Sequence, residues 1–348
     1  MKKIICLLKN VPVKQKKYNP ISFRVLLQVP FYKKYLLLNP IKCIVFYKTW
    51  IKGGKRMEGR ERKGIIFAAM GYILWGILPI YWRHLKGIPA FELLNYRIIL
   101  SFLSLGIYLL VRGKFREYTE VLRDKKTMKK IILSAGALSI NWGAYTYTMV
   151  SDRIIEASLA YYICPLLMAL TGLVVFKEKI SKLQRYGIVI AVIGVAVLTV
   201  GSGVIPLWGV FIAISFAVYG GIKKTINLNP FISLTLEMTV ALPFAIIFLF
   251  LGEGPSAIGK GQLIYLLLLG GVTVVPLLFF VKGAQMAKFS DIAILQYFYP
   301  SLALIIGVFL YGEVFTTIHL VSFTIIWVAV VMFLIPFFRK KEYKLENS

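Results

Sequence analysis

The sequence predicts an all-α membrane protein: ten transmembrane helices arranged as a five-plus-five inverted-topology repeat. Three observations predict it. Of the 348 residues, 58% are hydrophobic and 16% charged, with a mean hydropathy of +0.75. That is roughly 200 apolar residues, and one span takes about 20. The apolar residues fall into ten runs separated by short loops, and the basic residues crowd into alternate loops. The second five runs resemble the first five. A water-soluble chain of this composition would expose apolar patches far beyond the few hundred Å² a monomer tolerates. Soluble enzymes, nucleic-acid binders and disordered tails are excluded on that ground.

Residues 1–56 form a basic N-terminal extension with 14 of the 42 Lys and Arg and no acidic residue. Its apolar stretches, such as Val25–Val29, are broken by Lys or Pro before they reach spanning length. Met57 opens a compact charged segment before the first full-length run, so the extension reads as lying upstream of the true start. The other reading is a basic segment resting on anionic lipid. The net charge of +27 draws about half its excess from this stretch and is no signal for nucleic acid.

The runs are Gly64–Trp82, Leu93–Val111, Ile131–Val150, Ile155–Phe176, Tyr186–Val204, Pro206–Ile222, Phe231–Leu251, Gln262–Val281, Phe289–Tyr311 and His319–Phe338. A backbone in lipid has only itself to bond to, so each is a helix. The Arg112–Lys130 loop alone has room for a small surface helix. With residues 57–63 in the cytoplasm, the loops on that side carry 23 Lys and Arg, against 4 on the other. This positive-inside bias puts both termini in the cytoplasm of a multi-pass plasma-membrane protein. The basic tail 339–348 belongs to the same side.

The halves are 57–204 and 205–338. Pro165 is followed thirteen residues later by Glu178, and Pro300 by Glu313, 135 residues further on. The same offset matches Tyr162 with Tyr297 and Glu156 with Asp291. At an offset of 145, Gly64-Ile65-Ile66-Phe67-Ala68 meets Gly209-Val210-Phe211-Ile212-Ala213. Five spans is an odd number, so the halves are oppositely oriented. Such repeats are typical of secondary carriers with a midplane site between the halves.

Asn141-Trp142 and the run from Glu156-Ala157-Ser158 through Tyr161-Tyr162-Ile163-Cys164-Pro165 resemble the RarD branch of the EamA drug/metabolite transporters. So do Tyr96-Arg97, Tyr219-Gly220 with Lys223-Lys224, Leu236-Glu237, and Leu295-Gln296-Tyr297-Phe298-Tyr299-Pro300. The resemblance runs from about Lys63 to Phe338. It implies a ten-helix permease for small organic molecules such as metabolites, amino acids or drugs, often labelled by a chloramphenicol phenotype. Cys164 stands where relatives are expected to carry Asn.

Charge inside a span costs about 2.5–3.5 kcal/mol on insertion scales. Arg97 in span two and Glu237 in span seven occupy near-equivalent positions in the halves, with opposite charge. Either Arg97 attracts an anionic group and Glu237 carries a proton or cation, or Arg97 snorkels outward and Glu237 pairs with a nearby Lys. Trp75, Asn141, Trp142, Tyr145, Tyr161, Tyr162, Tyr219, Gln296 and Tyr297 sit away from span ends, as does Tyr299. Polar tips at that depth bond another helix or line a substrate cavity. Pro165, Pro276 and Pro300 fall within spans and suit hinges or fixed kinks. Two histidines and three unpaired cysteines suggest neither a metal site nor a cofactor. The sequence therefore reads as a secondary carrier, not an enzyme. Its partners are a small-molecule substrate, the lipid bilayer and a coupling proton, with no nucleic acid. A non-transporting sensor or scaffold is the alternative, and a membrane-embedded enzyme a weaker one.

Overall fold

Among the described residues of the computed structural model, 59–151, 153–251, 259–312 and 315–339, every regular element is helical. The predicted extension 1–56, Glu313 and the tail beyond Arg339 lie outside them. The helices are α1 (Gly59–Trp82, continued by a 3₁₀ turn Arg83–Leu85), α2 (Ala90–Val111), α3 (Phe115–Arg123), α4 (Lys125–Val150), α5 (Ile154–Val174) and α6 (Lys182–Ser202). They continue as α7 (Leu207–Lys224), α8 (Pro230–Leu251), α9 (Lys260–Met286), α10 (Phe289–Leu295), α11 (Phe298–Tyr311) and α12 (Thr317–Arg339).

Local chemistry sets the helix ends. The α6 start is a capping box, in which Gln184 N–H donates to Ser181 Oγ and Ser181 N–H donates back to Gln184 Oε1. Gly203, at φ 67°, ends α6 in the left-handed conformation that a side chain disfavours. Asp124 caps α4, accepting from the Lys126 N–H. The Thr127 hydroxyl beside it, more than the backbone, holds its carboxyl below the usual range.

Two elements differ from the pattern read in the sequence. The predicted span Phe289–Tyr311 is two helices, α10 and α11, parted at Gln296–Tyr297. Pro300 therefore sits in the first turn of α11, where a missing N–H costs little, and it kinks no continuous helix. Its repeat mate Pro165 lies inside the unbroken α5. The other difference is α4. Nine spans among the described residues are long and apolar enough to cross a membrane, α10 and α11 together making one of them, and α4 is not among them despite its 26 residues. Its buried Ser134 and Asn141 bond to α8 and α7, and its buried Thr148 donates to the Tyr145 carbonyl of α4 itself, so its polarity is satisfied inside the protein. The room for a surface helix after Arg112 is filled by α3.

The packing has a two-fold character. α1 lies on α9 and α11; correspondingly, α7 lies on α4 and α5. α2 contacts α9 just as α8 contacts α4. The α2–α8, α5–α10 and α6–α12 pairs map onto themselves when the halves are exchanged. The halves thus interlock through the core. Glycines make this close: a Cβ on Gly270 would come within 2.1 Å of the Leu100 carbonyl oxygen, and one on Gly283 within 2.8 Å of the Ala68 Cβ. Large apolar side chains such as Ile107, Phe250 and Phe309 face outward, as lipid-facing residues do.

Candidate functional site

Two polar clusters lie on the interlocked helices, one around each charged residue singled out in the sequence. The first is centred on Arg97, seven residues into α2 and about 10 Å along it. Its Nε–H donates to Thr273 Oγ1 of α9 at 3.2 Å. Its guanidinium lies over the Trp142 ring of α4, 3.8 Å from the centroid, with Trp82 at 5.8 Å. Tyr145, Tyr161 and Tyr299 surround it from α4, α5 and α11. These tyrosines form a chain: Tyr145 and Tyr161 have ring centroids 5.6 Å apart, and Tyr161 meets Tyr299 edge-on at 4.5 Å. Arg97 and the three tyrosines are partly exposed, while Trp142 is buried beneath them.

The second cluster is closed. Glu237 of α8 and Lys223 of α7 form a 2.8 Å ion pair, and both side chains are 0% exposed. The Ser134 hydroxyl, from α4, donates to Glu237 Oε1. The Lys223 ammonium also donates to Ser233, and Tyr219 O–H donates to Glu237 Oε2 at 3.4 Å. Geometry on helices explains the assembly. Tyr219 and Lys223 are four residues apart on α7, as Ser233 and Glu237 are on α8, so each pair shares a face. Trp75 packs against Tyr72, Phe216 and Phe280, with centroids 5.8–5.9 Å apart.

The structure brings Arg97, Trp142, Tyr145 and Tyr161 together, and separately joins Tyr219 to Glu237. Tyr219 is wholly buried and lines no open cavity. Asn141 serves an interhelical contact, donating to the Ile212 carbonyl at 2.8 Å and to Ser215 at 3.1 Å. Tyr162 and Tyr297 are buried away from Arg97, the Tyr297 hydroxyl donating to the Tyr162 carbonyl across the repeat. Gln296, at the α10–α11 break, touches the Cys164 thiol, and its Oε1 is buried without a hydrogen-bond partner. Pro276 lies within α9, its carbonyl beside Gly71 of α1.

Sequence reasoning put Lys223 in a cytoplasmic loop; it is instead a buried core residue. Counting it among the loop charges hid the spacing from Tyr219 that places it inside a helix. Thr273 and Trp82 also went unnoticed, since a lone Thr and a span-end Trp carry no signal by themselves. Among the described residues, no group of three or more His, Cys, Asp or Glu is arranged to hold a metal.

Residues 62–200 and 204–335 each match the EamA-like transporter family. The chain is 37% identical over 282 residues to the "Uncharacterized transporter YojE" of Bacillus subtilis, covering 79% of this chain and 95% of that one. It is 33% identical to protein RarD of Salmonella typhimurium, covering 80% of this chain and 96% of the relative. Protein RarD of Escherichia coli is 30% identical with the same coverage. A solved crystal structure superposes with a TM-score of 0.64 at 17% identity, covering 78% of this chain and 97% of that one, and so shares the fold.

Proposed function

Because this chain belongs to the EamA-like transporter family and is a RarD-type multi-pass membrane protein, we propose that it is a secondary carrier for small organic molecules in the plasma membrane. It works by alternating access between the 57–204 and 205–338 halves, with both termini cytoplasmic. It carries out no chemistry and needs no cofactor. The chloramphenicol-related name borne by one 21% identical RarD relative fits a carrier of small organic solutes.

One observation carries this reading: the difference in accessibility between the clusters. The Arg97 group draws on helices of both halves and is partly open. The Lys223–Glu237 group is sealed from water. One cluster partly exposed and the other fully closed is the asymmetry that alternating access requires of a single state. By the charge bias of the loops, the open end is external and the sealed end cytoplasmic.

The sealed pair also offers a coupling device. Removing one partner of a buried pair costs about 3–5 kcal/mol, because the other charge is stranded. Parting α7 from α8 strands both charges, and a proton on Glu237 removes one of them. Proton uptake and opening of that seam therefore favour each other, in keeping with linkage between coupled events. Glu237→Gln should abolish the response of transport to an imposed pH difference in proteoliposomes, normalised to inserted protein, while exchange at equal pH persists. A variant that responds to the gradient as the parent does removes Glu237 from coupling.

A further inference from the structure

The pseudo-two-fold relation makes the two clusters comparable residue by residue. In the second half, the charge on α8 receives a hydroxyl from α4 and a counter-ion from α7. In the first half, the charge on α2 gives its Nε–H to a hydroxyl of α9, the equivalent of α4. The counter-ion is what differs. The 145-residue offset puts Leu78 of α1 where α7 has Lys223. The ion pairs of the described residues engage Lys114, Arg116, Arg153, Lys223 and Lys224, and Arg97 is in none of them.

Arg97 is thus a cation set in a membrane span, balanced only by aromatic faces and hydroxyls. A cation–π contact gives about 0.5–2 kcal/mol, short of what a span charges for an ion at its centre. With Nε committed to Thr273, the guanidinium presents its end-on edge, the fork that takes a carboxylate through two parallel bonds. Tyr145, Tyr161 and Tyr299 add a chain of partly exposed rings carrying hydroxyls to the same cluster. The site is missing one negative charge, and only one.

We propose that the Arg97 cluster binds a small organic monocarboxylate, the carboxylate on the guanidinium and tyrosine hydroxyls and the apolar or aromatic body against the tyrosine rings. This rests on the carrier reading above and adds the substrate class to it. A dianion would leave a net negative charge in an apolar setting. A zwitterion would bring an ammonium group to a site whose neighbours are Arg97 itself, aromatic rings and hydroxyls. A neutral solute would leave Arg97 uncompensated.

The test is binding to the full-length protein in nanodiscs, read by Trp fluorescence and checked by calorimetry. The probes are benzoate, phenylacetate and 3-phenylpropionate, each against its primary amide, with phenylalanine as the zwitterion. At least one acid should saturate, with its amide and phenylalanine at least tenfold weaker. This contrast uses the unaltered protein and needs no variant to fold. Arg97→Gln should then abolish the preference for acid over amide, and Tyr161→Phe should weaken the acid severalfold. Amides binding as well as acids, or no acid binding, overturns the proposal. The carrier reading stands or falls separately, on the solutes that differ inside and outside cells with and without the protein. A neutral or cationic solute there keeps the carrier and sinks the carboxylate; no difference in any solute sinks the carrier.

Discussion

Lys223 is held by three groups at once: the Glu237 carboxylate at 2.8 Å, Ser233 and the Tyr219 ring face at 5.9 Å. Lys223→Met therefore removes more than a charge. It leaves Glu237 without its counter-ion in a dry core, and the expected loss is about 3–5 kcal/mol of stability. Replacing both partners, Lys223→Met with Glu237→Leu, removes the stranded charge along with the pair, so the double variant should regain most of that loss. Thermal unfolding of the purified variants in detergent checks the order: parent and double variant close together, the single variant well below both. A double variant as unstable as the single would show that the surrounding hydroxyls, more than the two charges, set the energetics. At this scale the sequence was legible wherever a charge or amide sat well inside an apolar run. Arg97, Glu237, Trp142 and Asn141 stood out for that reason. Lys223 did not, because it lies one residue from a helix end, where basic residues ordinarily face the headgroups.

Glu178 shows how a recurring motif becomes a helix device. It follows α5, and its carboxylate accepts from the Phe289 and Ser290 N–H groups at 2.7 and 2.9 Å. The Ser290 hydroxyl donates to it at 2.8 Å, and Lys224 pairs with it at 3.3 Å. The orphan donors at the start of α10 are thus satisfied by a residue more than a hundred positions away, in the other half of the chain. Glu178→Ala should cost about 1–2 kcal/mol locally, which is roughly a five- to thirtyfold shift in local opening. Hydrogen exchange at the first turn of α10 should speed up by that factor, and exchange in α12 should not change. The Pro-to-Glu spacing identified the repeat, but it gave no hint of this capping role. A cap acting across the fold leaves no local pattern. The α10–α11 break was equally hidden, since Phe289–Tyr311 is apolar enough as a whole to read as one span despite Gln296 and Tyr297, and the interruption comes from how the backbone turns there.

For the whole molecule, the order of the helices followed from hydropathy and loop lengths, as did their number apart from the division of the ninth run into α10 and α11. The interlocking of the halves did not, because it depends on which small residues meet. The loop charges predict the orientation, and insertions in two loops test it. A reporter placed between Gly113 and Lys114 should be active only in a cytoplasmic-sensing form, and one placed in the Gly203–Pro206 loop only in an external-sensing form. The opposite result at either position would invert the arrangement and, with it, the side from which the Arg97 cluster is reached.

The glycine seam between α1 and α9 has a consequence for how the protein is made. Gly64, Ala68 and Gly71 lie against Met286, Gly283 and Pro276 so closely that a Cβ on Gly64 would stand 2.7 Å from the Met286 Cβ. More than two hundred residues separate the two sides of this contact. At about 5–20 residues per second of synthesis, α1 waits roughly tens of seconds in the bilayer before its partner emerges. During that time its smooth face is matched by nothing. Neither half is then a self-sufficient folding unit, despite the internal repeat. Cutting the chain in the Gly203–Pro206 loop should yield halves that are each degraded when expressed alone, and that accumulate together as a stable pair when co-expressed. Two halves that persist independently would mean the seam is dispensable for assembly.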